Sequence, residues 1–312
     1  MKKLIVLCLV AGLSACGSSQ QSSVSAPAPA TTAARGAAMA NDEPNQLVPP
    51  TSAGQMSAQR IRAVVSGAWR PSSDKARDRY RHPVKTLEFF GIRPDMTVIE
   101  ITPGGGWYTR ILAPFLRDNG QYIAAEFTPR SGKEAQQDDS ALKQLLDSKP
   151  GIYGKARIIQ FDPTSPVLGP PGSADMVLTF RNAHNWVQAG TAKLMFKAFF
   201  AVLKPGGVLG VVDHRAATGA TLDQVKGSGY LPQSAVIQMA EKAGFTLQAS
   251  SDINANPEDT RDYPKGVWTL PPTLALGNKD KVKYEAIGES DRMTLRFVKP
   301  TIPSDADTSS GG

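Results

Sequence analysis

The sequence predicts an α/β domain: a mostly parallel seven-stranded sheet with helices on both faces and an antiparallel last strand. Three observations carry that reading. Apolar, β-branched runs alternate with stretches of helical spacing over residues 56–300, the pattern of parallel strands joined by crossover helices. The first run ends in an acid and passes at once into three glycines, in "TVIEITPGGGWYTRIL" (97–112). The final run, "MTLRFV" (293–298), follows a long irregular connection without a crossover helix, which suits an antiparallel strand added at the sheet edge.

In chain order, the candidate strands are "TVIEI" (97–101), "QYIAAE" (121–126), "ARIIQF" (156–161), "ADMVLTF" (174–180), "VLGVVD" (208–213), "FTLQASSD" (245–252) and the final run. After the first strand, Tyr108, Ile111, Leu112, Phe115 and Leu116 share a helix face, with Pro114 expected to kink that helix or end its regular part. Leu194 to Leu203 is an apolar-faced helix stopped by "KPGG" as a C-cap, and Leu231 to Gly244 repeats the pattern. Ahead of the sheet, "WRPSSDKARDRYRHP" (69–83) reads as a solvated helix laced by Asp74, Arg77, Asp78 and Arg81 at helical spacing, placed where a lid would lie. The connection from Pro257 to Asp291 is long enough to suggest a functional loop, one able to shape a pocket.

The ends have a different composition. Lys2 and Lys3, an apolar stretch from Leu4 to Gly12 and "LSAC" (13–16) make a secretory signal too short to span a bilayer. "LSAC" resembles the lipobox of bacterial lipoproteins, so residues 1–16 are expected to be a signal peptide with lipidation at Cys16. Gly17 follows where an inner-membrane retention signal would have Asp, which implies the outer membrane, facing the periplasm. Residues 17–55 and 301–312 are Ser-, Ala-, Pro- and Thr-rich or otherwise poor in bulky apolar groups, and read as a tether and a tail. Cys8 and Cys16 are the only cysteines, so the domain between has no thiol chemistry. The formal charge of +7 falls to +5 without Lys2 and Lys3, and the basic residues are scattered, which argues against a nucleic-acid partner.

The glycine loop places flexible backbone at a strand end, where amide groups and a helix N-terminus converge on ligands. Tight helix–strand packing also calls for glycine there. Two more strand ends carry acids: Glu126, 20 residues past Gly106, where a carboxylate can accept both hydroxyls of a ribose, and Asp162 in "QFDP". A dinucleotide fingerprint needs a third glycine where Thr109 stands.

"VIEITPGGGWYT" resembles motif I of the class I S-adenosylmethionine-dependent methyltransferases, and "LKPGGVLGVVD" (203–213) and "AEKAGFTLQASSD" (240–252) are similar to later segments of that Rossmann-like fold. Within the class the chain looks most like a group of often exported methyltransferases with P-G-G-G-W-Y and F-R-N-x-H-N-W signatures. The resemblance implies S-adenosylmethionine as cofactor. Its site would take in Glu100, Thr102, Pro103, Gly104, Gly105 and Gly106, with Gly104 and Gly106 along the methionine part, Glu126 on the ribose, Asp162 facing the adenine, and Arg181 and Asn182 at the rim. Thr102 departs from the motif, standing where its first glycine is usual.

Chemistry is expected in "FRNAHNW" (180–186): His184 as a general base, Asn182 and Asn185 positioning an acceptor, and Trp186 stacking on a ring or on the sulfonium. Asp213 and His214, at the end of the fifth strand, supply a second candidate base. The bland reading of each histidine is a loop-ordering hydrogen bonder. His82 reads as structural, and the three histidines, spread over three regions, predict no metal site. The expected whole is a monomeric methyltransferase acting on a small-molecule or envelope acceptor, touching the membrane only through its lipid anchor. The alternative is an envelope lipoprotein keeping the fold as a binding module without turnover.

Overall fold

The computed structural model describes residues 52–128 and 133–301. The signal sequence, Cys16, the tether up to residue 51 and the tail from residue 302 lie outside the described residues. In chain order the elements are α1 (Ser52–Val65), α2 (Ser72–Lys75), α3 (Asp78–Arg81), α4 (Pro83–Phe90), β1 (Thr97–Ile101), α5 (Thr109–Leu116), β2 (Gln121–Phe127), α6 (Lys133–Ser148), α7 (Pro150–Tyr153), β3 (Arg157–Phe161), β4 (Ala174–Phe180), α8 (Ala183–Gln188), α9 (Ala192–Val202), β5 (Leu203–His214), α10 (Gln233–Lys242), β6 (Thr246–Ser251), α11 (Lys281–Ile287) and β7 (Arg292–Val298). A single 3-10 turn, Gly266–Thr269, interrupts the connection between β6 and α11.

The sheet runs β3-β2-β1-β4-β5-β7-β6. Strands β1 to β5 pair in parallel, and β7 is antiparallel to both β5 and β6. Alternation along β1 sends Val98 and Glu100 to one face and Ile99 and Ile101 to the other. The first face packs under α1, α4 and α5 through Leu87, Phe90, Ile111 and Phe115. The second packs under α8, α9 and α10 through Trp186, Phe196, Phe199 and Val236.

Three features differ from expectation. The antiparallel strand is not at the edge: β7 sits between β5 and β6, buried along most of its length, whereas β6 alternates exposed and half-buried residues as an edge strand does. Helix α1 spans Ser52–Val65, so it starts ahead of the expected boundary at residue 56, and it packs against α4 and α5. The "KPGG" run belongs to β5, with Leu203 already extended and Gly206 donating its N–H to Lys299 at φ +77°.

Pro114 lies inside α5 without ending it. A proline at that position removes the N–H that would bond the carbonyl four residues back, that of Arg110. The indole Nε1–H of Trp69 donates to this carbonyl at 2.9 Å, so the freed acceptor is satisfied from outside the helix.

Candidate active site

The order in which strands are added reverses between β1 and β4, the switch point at which open α/β sheets bind ligands beyond the strands' carboxyl ends. At both of these ends the residue after the strand takes a left-handed conformation: Thr102 at φ +43° and Arg181 at φ +64°. Each N–H extends the ladder by one bond, Thr102 to the Ala125 carbonyl and Arg181 to that of Val212, both at 2.7 Å. Asn182 then donates its side-chain N–H to the Ile101 carbonyl at 2.9 Å, tying the two ends together.

A β-branched residue at positive φ is strained, and such strain clusters at functional sites. Thr102 also keeps a buried hydroxyl with no hydrogen-bond partner among the described residues. Thr102→Gly is expected to raise stability by about 1 kcal/mol, and Thr102→Ala to leave the strain in place. Denaturant titration of both variants checks this, and equal stability of the two would contradict it.

Beyond Thr102, a Cβ built on Gly104 or Gly105 would meet nothing within 4 Å, so the loop faces open space there. Neither glycine's amide donates to a backbone carbonyl among the described residues. Gly106, at φ +75°, differs: a Cβ there would press on the Leu145 side chain, so α6 packs on the loop at this position. Glu100 is likewise turned away from the opening. Its carboxylate lies beneath α5, 2 % exposed, and accepts from Tyr122 Oη at 2.6 Å and Thr109 Oγ1 at 3.3 Å. Burial pushes its pKa up to about 7, against the pull of those two hydroxyls. Glu126, the residue before last in β2, is almost fully buried, and exposed Asp162 follows β3, its carboxylate accepting from the N–H and hydroxyl of Thr164.

The segment ahead of the sheet is not a solvated helix but two single turns whose charges pair across the molecule. Arg70 forks onto Asp78 at 2.7 and 2.8 Å, and Arg77 and Arg81 reach Glu289 at 2.6 and 3.0 Å. The guanidinium carbons of Arg70 and Arg81 lie 5.1 and 4.7 Å from the Trp107 ring centre, and the Trp107 indole donates to the Asp74 carbonyl. Tyr108 stacks on Phe180 at 3.6 Å. The aromatic pair after the glycines therefore bolts the N-terminal segment over the loop. Glu289 also meets Arg292 at 3.1 Å. Burial alone would push its carboxyl up, but Arg292, Arg81, Arg77 and Arg181 hold it down at about 2.

His184, Asp213 and His214 form one buried cluster. His184 Nδ1 lies 2.9 Å from Asp213 Oδ1, and the His214 N–H donates to the same oxygen at 2.7 Å. His214 Nδ1 meets Ser290 Oγ at 2.5 Å, and the two imidazoles stand 5.1 Å apart. Burial drives His214 well below the usual histidine range, so its ring is neutral. Burial would raise Asp213, but His184 and His214 outweigh it and keep the carboxylate ionised. The two bases read separately from the sequence are thus one dyad. Two of the three histidines are nevertheless neighbours, since His184, Asp213 and His214 offer ligand atoms within 4.8 Å of one another. The direct His184–Asp213 contact is that of a hydrogen-bonded dyad. His82 stands apart, as the left-handed residue ahead of α4.

A cavity of about 200 Å³ opens against the dyad, bounded by Arg181, His184, Asn185, His214, Glu289 and Ser290. Its remaining wall comes from the long connection after β6, through Val267, Trp268 and Pro271 to Thr273. Trp268 stands edge-on to His184, 6.1 Å between ring centres. It takes the place expected of Trp186, which is instead buried in the core against Phe196 and Phe199. Glu289, Ser290 and Trp268 were missed by sequence reasoning because they lie more than 80 residues from "FRNAHNW". The length of their connection was the only signal.

No family model matches the sequence, and no curated protein matches it. Solved structures share the outline of the fold. A SAM-dependent methyltransferase from Aquifex aeolicus superposes with a TM-score of 0.48 at 14% identity, over 78% of this chain and 98% of that one. One from Methanosarcina mazei gives 0.47 at 13%, over 69% and 97%. An arsenic(III) S-adenosylmethionine methyltransferase from Chlamydomonas reinhardtii gives 0.46 at 15%, over 78% and 74%.

Proposed function

We propose that the chain is an S-adenosylmethionine-dependent methyltransferase whose acceptor enters beside His184. The observation that carries this is the succession, at the carboxyl ends of the adjacent parallel strands β1, β2 and β3, of an open Gly104–Gly105 loop, Glu126 and Asp162. These groups fit the cofactor: glycines without Cβ give close backbone approach, the Thr102 hydroxyl is buried and unpaired, and two carboxylates stand at successive strand ends.

When bound, the cofactor supplies a sulfonium methyl group. Arg181, Asn182 and the dyad frame the approach to the switch point, so most of the acceleration would come from holding the acceptor in line. The carboxylate of Asp213 fixes the His184 imidazole with Nδ1–H directed at it, leaving Nε2 to take the acceptor's proton as its bond to carbon forms. Neutral His214, held by Ser290, keeps that side of the cavity uncharged.

Isothermal titration of the purified protein with S-adenosylmethionine and S-adenosylhomocysteine tests the reading. Both are expected to bind one to one, and Glu126→Ala to weaken both roughly tenfold or more through loss of charged hydrogen bonds. Absence of binding by either ligand sinks the proposal. The envelope location is part of the same reading and is supported by the "LSAC" lipobox behind a Lys2–Lys3 start. Labelled palmitate is expected to enter the protein and to be lost in Cys16→Ser, and label retained in that variant refutes the site.

A further inference from the structure

We propose that the cavity beside the dyad is an oxyanion subsite in which Arg181 holds a carboxylate or phosphate group of the acceptor. The inference rests on the methyltransfer reading only for what happens to the ligand, since the binding itself follows from the charges.

Four arginines, Arg77, Arg81, Arg181 and Arg292, gather around one carboxylate, that of Glu289. Glu289 is fully engaged. Its Oε1 accepts from Arg77 at 2.6 Å, its Oε2 accepts from Arg81 at 3.0 Å, and the same Oε2 forms an ion pair with Arg292 at 3.1 Å. Arg181 is the fourth and receives nothing: its guanidinium makes no hydrogen bond or ion pair among the described residues, although the side chain is largely removed from water and borders the cavity. The other nearby acid, Asp213, is spent on His184 and on the His214 N–H. The surplus extends to the neighbours, since Arg77 and Arg81 each keep a buried Nη2 without an acceptor. Desolvation lowers Arg181, with Arg292 and Arg77 adding to it against Glu289, but only to about 10, so the group stays charged at neutral pH.

A partly buried cation whose neighbouring carboxylates are taken is stabilised by an anion from outside. The guanidinium fork matches the two oxygens of a carboxylate or phosphate. Asn185 and Ser290 add side-chain hydrogen-bonding groups to the same wall, and Trp268 offers a flat apolar surface. At about 200 Å³ the space suits one small charged group with a ring or a few carbons, not an extended ligand. His184 borders the same space, so an anion seated on Arg181 places the remainder of the acceptor next to the base.

The full-length protein is titrated calorimetrically with benzoate, phenyl phosphate and the neutral isostere benzamide, with and without S-adenosylhomocysteine. At least one of the two anions is expected to bind, and benzamide roughly tenfold or more weaker. Whichever anion binds tighter identifies the headgroup. Arg181→Gln is expected to abolish the preference for the anion and Arg181→Lys to retain part of it. Thr273→Glu, which plants a carboxylate on the exposed far wall without touching the arginine cluster, is expected to abolish anion binding even if Arg181→Gln folds poorly. Equal binding of benzoate and benzamide, no binding of either anion, or unchanged anion affinity in both Arg181→Gln and Thr273→Glu overturns the subsite. Failure of S-adenosylhomocysteine to bind while the anions bind through Arg181 refutes the methyltransfer reading and leaves the subsite standing. The reverse result refutes the subsite alone.

Discussion

Glu289→Gln is expected to cost about 3 kcal/mol of stability at pH 7, equivalent for a domain of this size to a drop of roughly 6–12 °C in melting temperature. The carboxylate is 3 % exposed and is met by Arg77, Arg81 and Arg292. Removing its charge leaves three guanidinium groups packed together with no anion between them. Because its folded pKa is depressed from 4.5 to about 2, its contribution is fully present above pH 4.5 and is lost as pH falls toward 2. The gap between the wild type and Glu289→Gln therefore narrows over that window. Urea titrations at several pH values measure it, and a difference under 1 kcal/mol at pH 7 would falsify the account.

Glu100→Gln should act in the opposite sense. Burial raises this carboxyl from 4.5 to about 7, so the folded state favours its protonated form. Stability from that group is complete below pH 4.5 and declines as pH rises through 7, by about 3 kcal/mol in all. A glutamine keeps the shape, accepts from Tyr122 and Thr109 through its carbonyl, and never ionises. Glu100→Gln is expected to match the wild type near pH 4 and to exceed it by about 3 kcal/mol at pH 8. A variant less stable than the wild type at pH 8 would show that the ionised carboxylate is what the buried hydroxyls need. Together the two acids give opposed slopes that meet near pH 4.5.

Much of the fold is legible in the sequence because strands and crossover helices leave local patterns. "TVIEI" and "ADMVLTF" are strands to the residue, and the glycine loop falls between β1 and α5 as expected. The position of β7 is not legible, because pairing partners depend on non-local packing and "MTLRFV" reads alike at an edge or in the middle. The site divides in the same way. Thr102 to Gly106, Glu126 and Asp162 stand at strand ends, where sequence spacing alone puts them. Local reasoning treats His184 and Asp213 as rivals, since 29 residues separate them, and only the parallel pairing of β4 with β5 makes them partners. Arg77 and Arg81 look like solvated surface for the same reason: Glu289, which buries their charge, lies more than 200 residues away.

The interior placement of β7 bears on how the molecule is assembled. Residues 292–298 are the last strand of the described chain, yet β6 pairs with no other strand, and β5 has β7 as its neighbour on that side. A nascent chain released up to residue 290 therefore holds two open strand edges, and the pairing that closes them waits for the final segment to slide in between. Such a late, long-range insertion raises the contact order of the last folding step and leaves unpaired edges exposed until it occurs. The sheet becomes complete only when the whole domain is available, which favours folding after synthesis over folding during it.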